Sequence, residues 1–548
     1  MSHLTTETFD ANARAALVDT QLRDALRNAT SLFGKRRLAA ARGLENWEDL
    51  RTQARAIKDE VLLHLDHYLE QFVSNAELRG AKVHWARDAT EANQIVCRLA
   101  MERGARNVVK SKSMVTEEIH LNDALQASGM EVIETDLGEY IIQLAGEAPS
   151  HIIAPAIHKT KRQIAELFTA KLGIEPTDDV DKLTSVARNV LRQRFANADL
   201  GISGVNFGVA ETGTILILEN EGNVRLTTSL PKVHIALMGI EKILPRFVDL
   251  DVFLKLLPRS GTGQQLTTYQ SLITGIKRRR EDEGPEELHI VVLDNGRSRM
   301  LAHPVTRQAL ACIRCGACLN ACPVYQQIGG HAYGSVYPGP IGAVITPQLI
   351  GLGKAAALPY ASSLCGACRE VCPVKIDIPE LLLHLRAEIT EGRRRQEHKA
   401  GAERQAGGGF KKRTGERFAF KLFAAVMTRP RVYEFGVKVG RLLQRPMVRR
   451  GRIGTIGGML ARLAPPLGAW TSARDMRPIP ESTFREQWRA GLHSDKLKDA
   501  SLNPRVGEPQ NPKKQTSPIL CPFGRFRASL CRGPAMRHVD NENMTLLI

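Results

Sequence analysis

Apolar residues recur at three-to-four spacing over Asn12–Leu26 and Trp47–Phe72, with Asp, Glu, Lys and Arg between them, which predicts a helical lead-in over residues 1–75. No chemistry is needed to explain that layer. From about 80 to 300 the pattern changes to short β-rich runs at Lys82–Ala86, Asn107–Ser111, Glu131–Thr135, Tyr140–Leu144, Phe207–Ala210, Thr214–Leu218, Val233–Leu237 and His289–Leu293. Helical stretches at Ala89–Arg103, Glu117–Ser128 and Lys159–Leu172 separate several of them, so residues 76–300 are expected to form an α/β domain with a largely parallel sheet. Beyond it, Ala343–Ala357 is helical in character, and Asp377 with Glu380 three residues on carries a capping-box signature. Residues 301–400 therefore read as a helical module and 401–500 as a basic helical region. Past 500, sustained periodicity ends, and 501–548 is expected to be a disordered tail.

Ligands of parallel sheets gather at the carboxyl ends of strands. The candidates there are Lys110–Ser113, Glu134–Asp136 and Glu211–Thr214. Each has a plainer reading: Lys110 and Lys112 can hold an anion or simply be solvated, and Glu211–Thr214 can bind a ligand or only connect a hairpin. His151 and His158 are seven apart without a nearby Cys or Glu cluster and are not expected to ligate metal. Neither G-x-G-x-x-G after a strand nor G-x-x-x-x-G-K-[ST] occurs, which argues against bound NAD or ATP.

At 548 residues, 43% hydrophobic and 24% charged, the chain has material for two or three globular domains. The N-terminus shows no basic segment followed by an apolar run, and the apolar window Ile341–Ala361 is broken by Pro347, Lys354 and Pro359. A cytoplasmic protein is expected. The formal charge of +18 is uneven, because Glu391–Arg452 alone has 18 Lys+Arg against 5 Asp+Glu. Runs such as Phe418–Met427 and Val437–Leu443 alternate basic and apolar residues, a pattern suited to docking on an acidic partner or to the inner face of a membrane. Without a recognition motif, nucleic acid is not expected as a partner.

Seven of the ten cysteines fall between 312 and 372, which points to metal ligation in a reducing compartment. Cys312, Cys315, Cys318 and Cys322-Pro323 have the spacing C-x2-C-x2-C-x3-C-P, echoed by Cys365, Cys368 and Cys372-Pro373. Structural zinc calls for neither three evenly spaced thiols nor the Pro-terminated repeat. Gly316 permits close backbone approach. By the crossing rule for two-cluster proteins, Cys312, Cys315, Cys318 and Cys372 share one cluster, and Cys322, Cys365 and Cys368 share the other. The second set is one thiolate short, with Ser362 at the matching position. That leaves open Ser362, a water, a partner's residue, a three-iron cluster or, least economically, Cys97, Cys521 or Cys531. Cys97 reads as core packing. His331, Tyr333 and Tyr337 can tune a cluster, meet a substrate or pack as an ordinary loop.

With these motifs, and with Gly330–Gly342, Leu364–Ile376 and Leu266-Thr-Thr-Tyr269, residues 20–490 resemble the lactate-utilisation protein B family. The resemblance implies an iron–sulfur subunit of a bacterial system oxidising L-lactate to pyruvate, without catalytic residues of its own. It implies two [4Fe-4S] clusters on the seven thiols, partner subunits of the same complex and an electron acceptor. Related cluster subunits serve glycolate-type 2-hydroxy-acid oxidation, and an α/β domain that itself binds a small acid is the other reading. It also implies an α/β fold similar to formyltetrahydrofolate cyclo-ligase and CoA-transferase-like proteins, followed by an all-α ferredoxin-like module. A three-cysteine second motif is the family's pattern, so Ser362 is expected there.

Overall fold

The computed structural model describes residues 5–279, 284–391, 414–449, 451–453, 471 and 477–490. A first compact unit holds the described residues up to 391, and a second those from 414 on.

The first unit begins with helices Phe9–Val18, Thr20–Arg42, Trp47–Leu63 and Leu65–Leu78. Asp19 and Asp88 each cap a following helix by accepting a backbone N–H. Ten strands follow: β1 (Ala81–Ala86), β2 (Asn107–Lys110), β3 (Glu131–Glu134), β4 (Leu200–Gly204), β5 (Phe207–Val209), β6 (Thr214–Glu219), β7 (Val233–Gly239), β8 (Ile243–Leu244), β9 (Tyr269–Ile273) and β10 (Glu287–Leu293). Six of them form a sheet of order β1-β10-β7-β4-β2-β3 in which every neighbour pair is parallel. Ile290 lies opposite Ala236, and Ile202 opposite Ile235. Val233, Ile235 and Leu237 bury on one face while Ala236 and Met238 bury on the other, the period-2 alternation of a strand covered on both sides. A smaller sheet, β8-β5-β6-β9, packs beside it.

One expected strand is a helix. Tyr140–Leu144 belongs to the helix Leu137–Ala145, capped by Asp136 through the Glu139 N–H and closed by Gly146 in the left-handed region. Its isoleucines suit a strand, but the caps and the apolar face decide for helix. His120, at φ +53°, divides the expected Glu117–Ser128 helix into Met114–Glu118 and Leu121–Ala127. The strand β4 escaped the sequence reading because Gly201 and Gly204 dilute its pattern. A Cβ on Gly201 would collide with the Thr227 carbonyl, which explains the glycine.

Between Leu293 and Glu391 the described residues form helices and 3-10 turns and no strand. Asp377 accepts the Glu380 N–H at 3.2 Å and opens the helix Ile378–Glu391, as its sequence predicts. One hydrophobic core joins the lead-in helices to this region, through residues such as Leu26, Leu50, Ala54, Leu319 and Tyr325.

In the second unit, helices span Thr414–Met427, Pro430–Gln444 and Phe484–Arg489. Arg441 pairs with Glu486 at 2.6 Å, and Arg489 with Glu434 at 2.7 Å. Phe420, Phe423 and Phe435 are exposed. Among the described residues no helix is long and apolar enough to cross a membrane. Residues 501–548, with Cys521 and Cys531, lie outside the described residues.

Candidate iron–sulfur site and adjoining cavity

The two cysteine runs fold into loops of the same shape. The residue before Cys315 and the residue before Cys365, Arg314 and Leu364, both adopt positive φ (60° and 55°), and so do the glycines that follow, Gly316 and Gly366 (74° and 86°). Lys375, after Cys372, does likewise at 50°. Left-handed backbone at non-glycine residues costs free energy, and its concentration in these loops marks a geometry selected for what it surrounds. Successive N–H groups in such turns converge on a common centre. Here they meet sulfur: Arg314 N–H approaches Cys312 Sγ at 3.4 Å, and Ile376 N–H approaches Cys372 Sγ at 3.4 Å. Ala317 N–H hydrogen-bonds Cys315, and Ala367 N–H hydrogen-bonds Cys365.

Cys312, Cys315, Cys318 and Cys372 line one small cavity of about 20 Å³, walled otherwise by apolar side chains such as Ile313, Ile341 and Ile376. The electrostatic neighbours of Cys318 are Cys312, Cys315, Cys372 and Cys368, whereas Cys322 and Cys365 are neighbours of Cys368. Burial pushes Cys372 up to about 11 and Cys368 up to about 12, while the hydrogen bonds from Ala367 and Ser363 hold the exposed Cys365 below the usual thiol range. Buried thiols this close together are poorly suited to bear charge alone. A cationic iron–sulfur group would satisfy them, so the residues fit such a group. Ser362 Oγ accepts the Leu364 N–H at 3.1 Å. Cys97 lies apart, buried in the core on one face of the sheet.

Positive charge surrounds the four-thiol cavity, and part of it comes from the lead-in helices to which the sequence assigned no chemistry. Arg51 donates to the Cys372 carbonyl through Nε at 3.1 Å and Nη2 at 2.8 Å and also reaches the Glu370 carbonyl; Arg37 donates to the Val371 carbonyl at 3.1 Å. Lys58 is buried and donates to the Glu241 carbonyl at 2.5 Å; burial lowers it to about 7 against the pull of Glu241. The signal was present: Arg51 and Lys58 fall on the apolar stripe Leu50–Ala54–Val61 of their helix, where a charge requires a buried partner.

A buried ionic chain ties the sheet to the first loop. Arg297 lies just past β10; its Nη1 and Nη2 each donate to Glu118 at 2.8 Å, and its Nε donates to Glu241 at 2.7 Å. Arg314 reaches the other Glu241 oxygen at 3.4 Å and stacks over Tyr337 at 4.9 Å. Tyr337 donates to Glu118 at 2.6 Å. Burial alone would raise the Glu241 carboxyl, but Arg297 and Arg314 hold it down to about 2.

The strand-end candidates separate. Lys110 is fully buried between Glu117 (2.9 Å) and Glu134 (2.8 Å), so it is neither solvated nor free for an anion. Glu211–Thr214 is the β5–β6 hairpin connection, with Gly213 at φ +68°. Lys112, Ser113 and Asp136, by contrast, line a cavity of about 210 Å³ at the carboxyl ends of β2, β3, β4 and β7, and its far wall contains Arg314, Cys315 and Tyr337. His151 is buried: its Nδ1 accepts the N–H groups of Ile153 and Ala154, and its Nε2 faces Asn320. Burial, aided by Lys112, lowers it to about 3, so it is a neutral structural histidine. His158 pairs with Glu147 at 2.7 Å, and His331 Nε2 lies 2.6 Å from the Ala148 carbonyl. Tyr333 packs beside Cys322 and Cys318.

Residues 69–293 match the LUD domain, 308–376 the 4Fe-4S dicluster domain and 385–491 the C-terminal region of lactate utilisation protein B. The chain is 44% identical over 482 residues to lactate utilization protein B of Bacillus pumilus, covering 88% of this chain and 97% of that one. The lactate utilization protein B proteins of Macrococcus caseolyticus and Shouchella clausii are 42% and 44% identical, with 88% of this chain and 96% of each relative covered. The chain belongs to the lactate utilization protein B family. All seven thiols fall within the residues that match the 4Fe-4S dicluster domain, and the strand ends beside the 210 Å³ cavity fall within those that match the LUD domain. A solved DUF162 family protein from Deinococcus radiodurans is similar at 14% identity and a TM-score of 0.24, over 42% of this chain and 98% of that one.

Proposed function

We propose that this chain is the iron–sulfur electron-transfer subunit of a complex that oxidises L-lactate to pyruvate. The observation that carries the reading is the grouping of thiols: four cysteines around one apolar cavity, and Cys322 with Cys365 neighbouring Cys368. That grouping supports the crossed assignment, in which Cys312, Cys315, Cys318 and Cys372 hold one [4Fe-4S] cluster and Cys322, Cys365 and Cys368 hold the second. The fourth position of the second falls to Ser362, a water or a partner's residue. When bound, such clusters supply one-electron transfer. The chain's own contribution is to hold the thiolates, aim N–H groups at them, bury the first set and leave Cys365 exposed at the second, where a partner or acceptor docks. The relatives' shared name supports lactate as the donor.

The same reading makes residues 301–400 a helical ferredoxin-like module after a CoA-transferase-like α/β domain over 76–300, with the helical lead-in over 1–75, a basic C-terminal region over 401–500, and a tail over 501–548. Anaerobic iron and sulfide analysis with electron paramagnetic resonance tests it. The expected result is two clusters per chain, Cys372→Ser removing the signal of the first and Cys365→Ser that of the second. Loss of the same signal in both variants would refute the crossing. Reduction by lactate only when partner subunits are present separates an electron-transfer subunit from an enzyme acting alone.

A further inference from the structure

The 210 Å³ cavity between the strand ends and the first cysteine loop is larger by an order of magnitude than the ~10–15 Å³ that one water requires. Its polar lining is unevenly committed. The acidic residues are already used by the backbone: Glu219 accepts the N–H groups of Val224 (2.7 Å) and Arg225 (3.0 Å), Asp136 that of Glu139 (3.1 Å), and Glu221 that of Asn220 (3.0 Å). The cations are committed only in part, Arg314 through Nη2 to Glu241. Arg314, whose side chain is 9% exposed, leaves Nη1 buried without a hydrogen-bond partner. Lys242, 7% exposed, has no hydrogen-bond or ion-pair partner among the described residues. A buried donor without an acceptor is costly, and Arg314 Nη1 together with the unpaired Lys242 ammonium on one wall suits an anion. Asn223 lines the same cavity; its Nδ2 is committed to Thr135 at 3.1 Å, whereas its Oδ1 is buried and unpaired and can accept only from a donor such as a hydroxyl.

We propose that this cavity binds a small hydroxycarboxylic acid, its carboxylate on Arg314 and Lys242 and its hydroxyl donating to Asn223 Oδ1. Arg314 and Cys315 line both this cavity and the one formed by the four thiols, so the bound acid lies against the loop that carries the first cysteine motif. The assignment deepens the lactate reading and rests on it only for the choice of L-lactate among the probes. With Nη2 held by Glu241, Arg314 offers the carboxylate its Nη1 beside the Lys242 ammonium, and an acid-lined end disfavours a second strong anion such as phosphate.

Calorimetric titration of the cluster-loaded full chain with L-lactate, L-malate, pyruvate and inorganic phosphate tests the site without reference to turnover. Saturable binding of a hydroxy acid, at least tenfold tighter than pyruvate or phosphate, is expected. Lys242→Met should weaken every carboxylate at least tenfold, and Asn223→Ala should abolish the preference for the hydroxyl, both with unchanged iron and sulfide content. If neither hydroxy acid binds saturably to the wild-type chain, or if pyruvate or phosphate binds as tightly, the assignment is overturned. The wild-type ranking decides even where a variant does not fold. A failure here with intact, partner-reducible clusters leaves the electron-transfer reading standing; loss of the clusters themselves refutes that reading instead.

Discussion

Replacing Arg297 with methionine probes the ionic chain that joins the sheet to the first cysteine loop. The guanidinium is 1% exposed and makes three hydrogen bonds of 2.7–2.8 Å, to Glu118 and Glu241, whose own side chains are 5% and 1% exposed. Removing one partner of a buried pair leaves the other uncompensated, at a cost of about 3–5 kcal/mol. At about 2 °C per kcal/mol that is a fall of roughly 5–10 °C in apparent melting temperature. The pH dependence carries the sharper test. In the wild-type chain both carboxyls titrate below their ordinary value, because the Arg297 and Arg314 charges outweigh burial at Glu241, and Arg297 outweighs it at Glu118. Their stabilising contribution is therefore present above about pH 4.5 and is lost as pH falls from there towards 2. In Arg297→Met only the neutral hydrogen bonds from Tyr337 and Asn295 oppose burial at Glu118, and its folded-state value rises above the unfolded one. The cost is then greatest above that raised value and shrinks as acid protonates the carboxyl. Thermal melts of the cluster-loaded protein followed by far-ultraviolet circular dichroism, from neutral to mildly acidic pH, should show the gap between variant and wild type narrowing. A gap that is constant with pH, or a loss below about 1 kcal/mol, would refute the reasoning.

Lys110→Met should cost about 3–5 kcal/mol at neutral pH because it strands Glu134 and Glu117 in the interior, whereas a solvated lysine would cost less than about 0.5 kcal/mol; chemical denaturation distinguishes the two. Gly34→Ala, in the exposed face of the helix Thr20–Arg42 with open space at its Cβ, should raise stability by about 0.5–1 kcal/mol. Gly330→Ala should do the reverse, since its Cβ would meet the Ser150 carbonyl; a lowered melting temperature together with reduced iron content is expected, and unchanged values would count against that packing. Arg51→Met should lower iron retention during dialysis against chelator, because the Cys372 and Glu370 carbonyls lose their donor and the loop its brace.

The local features of this protein follow from short stretches of its sequence. The thiol spacing with its closing prolines, the β-rich runs of the parallel sheet and the Asp377 cap each depend on residues a few positions apart, and periodicity and capping are properties of that range. Even there, Tyr140–Leu144 misleads, because two adjacent isoleucines look like a strand until Asp136 and Gly146 are weighed as caps. Which groups share a space is set by long-range packing. Lys110 and Lys112 are two residues apart, yet one lies buried between two glutamates and the other lines the cavity, because Lys110 ends β2 and Lys112 lies past the strand. Arg51 and Cys372 are 321 residues apart, and Arg314 meets Glu241 only because the helical module packs against the carboxyl ends of the sheet. The thiols were legible because iron–sulfur ligation imposes a close spacing on a single loop. Of the cavity, Lys112, Ser113 and Asp136 were legible as strand-end candidates, whereas the cations Arg51, Lys58 and Lys242 were not, because they come from elements other than the cysteine loops and only the fold brings them together.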